Sequence, residues 1–153
     1  MASRERRGPR ATRAGRHPSR RRAPPPVLDK AARRRRFQEG IALFNAGDFF
    51  AAHEAWEEIW RCQDPEPRDL FQGLIQIAAG LHGHLALGRR EGARHTIARG
   101  RRRLEPFLPT SHGLDLAALA AAARAWEDWL EGDAEGEGPA PPRLHVAAAN
   151  LVR

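Results

Sequence analysis

The segment from Phe44 through Gly47 and Asp48 to Trp60 constrains this chain more than any other. A helical pattern ends there in Asn45-Ala46-Gly47, and the next residue, Asp48, is one whose carboxylate accepts from the free backbone N–H groups that open a new helix. Two helices joined by so short a connection fold back on each other as an antiparallel hairpin. The remaining chain must cover that hairpin.

The helical period continues on both sides. Asp29 is placed to cap a first helix whose Ala32, Phe37, Ile41 and Phe44 fall along one face. The second helix runs to about Cys62, where Asp64-Pro65-Glu66-Pro67 breaks it. A third, from about Pro67 to Leu87, carries the stripe Leu70, Leu74, Ile77, Leu81 and Leu85 with Phe71, Ile75, Ala78 and His82 beside it. A helix apolar over that width is expected at the centre of the molecule. Gly88 stops it. A fourth follows from about Arg89 to Phe107, with Ala93, Ile97, Gly100 and Leu104 inward and Arg99, Arg101, Arg102 and Arg103 mostly outward, closed by Pro106 and Pro109. The fifth, from about Leu114 to Leu130, packs through Leu116, Leu119, Ala123, Trp126 and Leu130.

No stretch alternates with period two for long enough to make a strand. The expected fold is therefore all-α, a compact bundle of four to five helices built from antiparallel helical hairpins over residues 28–131. Residues 132–153 read as an acidic Gly/Pro linker and a short C-terminal segment, with Leu144 to Val152 either a packed turn or a frayed end. The junctions at Gly47 and Gly88 echo each other as in tetratricopeptide-type hairpin repeats, although two weak copies do not establish a repeat.

Charge divides the chain more sharply than its net +7 suggests. Residues 1–36 hold 14 Lys and Arg against 2 acids, while the rest hold 12 against 17. Residues 1–27 are expected to be a disordered basic tail, because Arg, Pro, Gly and Ser offer too little apolar surface to offset the entropy of ordering. Arginines attract phosphates without regard to sequence, so weak nucleic-acid contact is one reading of this tail. A compositionally biased extension without a partner is the other, and no aromatic residue interleaves the arginines to stack on bases. One Cys, no apolar run of membrane length and no apolar segment behind the basic N-terminus argue against a disulfide framework, membrane insertion and export. A cytoplasmic location is expected.

The polar residues of the second and third helices carry whatever chemistry the sequence holds. His53 and Glu57 stand four residues apart on one helix face, with Glu54 about 100° around and Trp56 and Trp60 flanking. Gln72, Gln76 and His84 interrupt an otherwise apolar third helix. If the two helices pack antiparallel with equal rise, Glu57 faces Gln72 and His53 faces Gln76. One reading is a divalent-metal site held by His53 and Glu57 and completed by His84 or His82, since imidazole and carboxylate at this spacing reach one point. The pattern differs from the His-Glu-x-x-His peptidase signature, because Glu57 stands where the second His belongs. A second reading is a buried hydrogen-bonded network that fixes helix register, and a third is a pocket for an organic ligand. Trp126 and Trp129 read as packing groups, and Cys62 as an incidental thiol.

These same residues resemble the family known as domain of unknown function 309, small helical proteins of bacteria, archaea and plastids. The resemblance lies in Phe44 to Trp60, in Leu70-Phe71-Gln72-Gly73-Leu74-Ile75-Gln76-Ile77-Ala78-Ala79, and in His84, Gly88 and Gly92-Ala93, within about residues 33 to 105. It implies a small helical bundle, implies no activity, and puts His53, Glu54, Glu57, Gln72, Gln76 and His84 on the family's polar motif positions. Arg89 departs from the Asn expected after the glycine. The function expected is a helical domain with a polar seam that binds a metal ion or small ligand. The rivals are an interaction module using the Arg99–Arg103 face or the acidic body, and a metal-dependent hydrolase with Glu54 or Glu57 as general base. No Ser/His/Asp set, phosphate-binding loop or dinucleotide fingerprint is present.

Overall fold

A computed structural model describes residues 27–62, 67–132 and 135–147. The tail expected over residues 1–27 lies, apart from Val27, outside the described residues. Five α-helices follow in chain order: α1 (Lys30–Asn45), α2 (Phe49–Trp60), α3 (Arg68–Leu85), α4 (Arg90–Leu104) and α5 (Leu116–Glu131). Each packs chiefly on its chain neighbours, so the molecule is a layered run of helical hairpins with α3 in the middle. The all-helical bundle is as the periodicity predicts.

The first junction forms for the reason its sequence gives. Gly47 adopts φ +83°, a conformation that costs glycine little, so its N–H reaches the Phe44 carbonyl at 3.0 Å and the Asp48 N–H reaches that of Leu43 at 2.9 Å. The Asp48 side chain then accepts from the Ala51 N–H at 3.1 Å and starts α2. Asp29 caps α1 through the Ala32 N–H in the same way, at 2.7 Å. Behind the junction, Phe44, Phe49 and Trp56 pack ring against ring and are almost wholly buried.

The contact of α3 with α4 is the most extensive between helices among the described residues, and glycine makes it close. A Cβ added at Gly100 would lie 2.7 Å from the Gly73 carbonyl oxygen and 2.9 Å from the Ile77 backbone nitrogen. One added at Gly80 would lie 2.6 Å from Ile97 Cγ1. Three glycines thus let two backbones meet, and they fix which side of α3 faces α4. The rotation of α3 also decides where its glutamines go.

Arginine–carboxylate pairs bind neighbouring helices together. Arg36 of α1 meets Glu58 of α2 at 2.8 Å, and Arg103 of α4 meets Asp69 of α3 at 3.0 Å. Arg101 of α4 forms a two-pronged, largely buried pair with Glu127 of α5. Arg101 departs from the mostly outward set of arginines that the pattern predicts: its guanidinium turns inward, where Glu127 offers two carboxylate oxygens to its fork. Arg90 donates to the Leu130 and Gly132 carbonyls at the end of α5.

The expectation of no strand is corrected at one point. Thr110–Ser111 (β1) and Leu114–Asp115 (β2) pair antiparallel around His112-Gly113, whose φ values of +51° and +73° suit a two-residue hairpin loop. Two-residue strands are too short to show a period of two. The C-terminal segment lies beside β2: Asp115 donates to the His145 carbonyl and Ala147 to that of Gly113. Asn45, at the end of α1, exchanges two hydrogen bonds with the Leu144 backbone and ties the segment to the first hairpin. Gly138 rests on Trp126 and Trp129, and Ala140 accepts from the Trp126 indole.

Candidate functional site

Helical spacing places Phe50, His53, Glu57 and Trp60 along one edge of α2. Phe50 is 46% exposed, and the Glu57 side chain 42%, so both are open to a ligand. His53 Nε2 lies 3.2 Å from Glu57 Oε2. The Phe50 ring centre lies 5.8 Å from that of His53 and 5.0 Å from that of His82 on α3. Imidazoles from two helices therefore hold an exposed aromatic ring between them. At the other end of this edge, the Arg68 guanidinium lies over the Trp60 ring at 5.0 Å.

On α3, Gln72, Ile75, Gln76, Ala79 and His82 form a half-buried stripe. They occupy this side because the glycine side of the helix is pressed onto α4 and the leucines face the core. Gln76 Oε1 is buried and accepts no hydrogen bond, and Trp60 Nε1 is buried and donates none. Most buried polar atoms are paired, so an unpaired one requires a physical account.

The sequence-derived residues part company here. His53 and Glu57 meet, Gln72 and Gln76 lie on the adjoining stripe of α3, and Glu54 is exposed. His84 faces elsewhere, packing against Trp126 at 5.9 Å and Trp129 at 5.4 Å, with its Nδ1 buried and unpartnered. Among the described residues no three His, Cys, Asp or Glu side chains converge as a metal site requires. Nor does a hydrogen bond join Glu57 to Gln72 or His53 to Gln76. The Phe50–His82 contact sits three positions away from the facing pairs that equal rise implies, which is why the expected partners miss each other.

Phe50 is not among the site residues that the sequence singles out, and His82 enters there as an alternative to His84. Phe50 carried a signal, because a large apolar residue three positions before His53 shares its side of the helix. A cleft of about 670 Å³ lies away from these residues, between α1 and the β-hairpin.

The helices and this face define a small all-helical protein of stacked hairpins with one mixed polar and aromatic surface. Residues 37–96 match the family model described as Domain of unknown function (DUF309), and the chain resembles that family over this stretch. The matched stretch contains the α2 edge and the α3 stripe. A comparison with curated proteins finds no match. Among the described residues no helix is long and apolar enough to cross a membrane.

Proposed function

We infer that the protein is a non-catalytic binding module whose site is the α2–α3 face. Its ligand presents a cationic hydrogen-bond donor, an ammonium or guanidinium, beside an apolar group. The observation that carries this reading is the buried Gln76 Oε1 without a partner. Such an acceptor costs about 1–3 kcal/mol if it stays unpaired, and a ligand whose donor displaces the side chains covering it relieves that cost. Glu57 adds an accessible carboxylate and Phe50 an exposed ring, so the face offers acceptors, negative charge and apolar area together.

A divalent ion is less well served. It would find His53 and Glu57, whereas closed protein sites for zinc supply about four ligands. Hydrolysis would need a nucleophile or a bound metal beside those two residues, and the face offers no side chain placed for the first role.

The stability of Gln76→Met tests the basis of this reading. Met matches Gln in helix propensity and volume, so the exchange isolates the unpaired amide. We expect the urea midpoint to rise by the equivalent of about 1 kcal/mol with an unchanged slope. A fall in the midpoint would show that Gln76 is hydrogen-bonded within the native protein, and the reading would lose its support.

A further inference from the structure

The first hairpin also borders a cleft that shares no lining residue with the α2–α3 face. The cleft, of about 670 Å³, opens between α1, the α2–α3 corner, the β-hairpin and the C-terminal segment. Its volume falls within the range of small-molecule pockets, about 300–1,000 Å³. Phe37, Ile41, Ile59, Phe71, Leu114 and Val146 form its apolar walls. Phe37 and Phe71 meet edge to face at 5.5 Å, which fixes the wall between α1 and α3.

The rim is cationic. Its charge comes from Arg33 and Arg34, and none of the residues lining the cleft is acidic. The Leu28 carbonyl accepts from Arg33 Nε at 3.0 Å and holds that side chain against α1, while Arg34 is exposed. An apolar slot with positive charge at its mouth is complementary to one kind of molecule, an apolar body with an anionic head. A neutral hydrophobe would gain the walls without the rim, and an inorganic anion the rim without the walls.

We propose that this cleft binds an amphipathic carboxylate, such as a medium-chain acyl group with its carboxylate against Arg34 and its chain against Ile41, Ile59 and Val146. Arg34 sets the preference for an anion. The His112-Gly113 turn and the segment around Val146 flank the cleft, and the Leu114–Val146 bridge holds them together.

The test is a titration of the full chain with octanoate, below its micelle concentration, followed by the methyl resonances of Ile41, Ile59, Leu114 and Val146. Ile41, Ile59, Leu114 and Val146 all line the cleft, so their methyls report on its occupancy. Saturable shifts at all four are expected, and octanol should bind more weakly at the same methyls. Arg34→Glu should weaken octanoate by about fivefold or more while leaving octanol unchanged, as reversal of an accessible charge pair does. Absence of saturable shifts, or an octanoate affinity untouched by Arg34→Glu, would overturn the proposal. Because Arg34 is exposed, the variant is expected to unfold at the parent's midpoint, and that control separates lost binding from lost fold.

Discussion

Gly100→Ala is expected to lower the unfolding free energy by about 2–3 kcal/mol, although alanine is the better helix former. The added methyl would stand 2.7 Å from the Gly73 carbonyl oxygen and 2.9 Å from the Ile77 backbone nitrogen. Those are backbone atoms of the central helix and cannot swing aside, so α3 and α4 must separate along their whole contact. Leu104, Ile97 and Ile77 would then lose part of their close packing. Gly92, eight residues earlier in the same helix, provides the opposite case. Nothing lies within 4 Å of a Cβ built there, so Gly92→Ala should gain about 0.5–1 kcal/mol from helix propensity alone. Urea unfolding of the two variants should therefore shift in opposite directions. Stabilisation by both would mean that α3 and α4 are not in backbone contact.

Glu127→Ala is the second large effect, with an expected loss of about 3 kcal/mol. Glu127 and Arg101 are largely sequestered, their side chains 11% and 17% exposed, and the carboxylate accepts from two guanidinium nitrogens. Removing the carboxylate leaves the guanidinium desolvated, with the exposed Glu105 at 3.8 Å and a longer-range attraction to Asp128 in its place. Replacing both residues with apolar side chains, Arg101→Met with Glu127→Leu, should recover most of the loss, because the net worth of a buried pair over a packed apolar substitute is small. The hydrogen bond with Glu127 raises the Arg101 pKa above its ordinary value, against a smaller opposing effect of desolvation. A raised folded-state pKa means that the stability this group contributes is complete below the ordinary arginine range and is lost only as pH climbs through the folded value. Arg101 therefore contributes undiminished through neutral pH. Equal losses in the single and double variants, measured by urea unfolding, would contradict this account.

The parts of the fold that local chemistry dictates were readable in the sequence. Gly47 and Asp48 announce a helix end and a helix start within two residues, and both act as their side chains allow. The inward set Ala93, Ile97, Gly100 and Leu104 follows from helical period and is buried as expected. The hairpin at His112-Gly113 was hidden because its strands are two residues long. Arg101 was hidden because composition cannot tell a solvated arginine from one that meets a carboxylate 26 positions away.

The site was legible as a set of residues but not as an arrangement. Periodicity places His53 and Glu57 on one face, and they meet. The partners across the helices depend on the rotation of α3, which is set by glycine contacts with α4 that no pattern in α2 reveals. Hence Gln76 lies unpaired on the α3 stripe, and His84 turns to Trp126 and Trp129.

The central claim is that the α2–α3 face receives a cationic donor, and an NMR titration with n-butylguanidinium tests it most directly. The account predicts saturable shifts at the Gln76 side-chain amide, the His53 ring and the Phe50 ring, with a weaker response in Glu57→Gln and none to n-butanol at equal concentration. Shifts that never saturate, or that spread equally to exposed acids such as Glu91 and Asp128, would reduce the face to ordinary charge attraction and contradict the account.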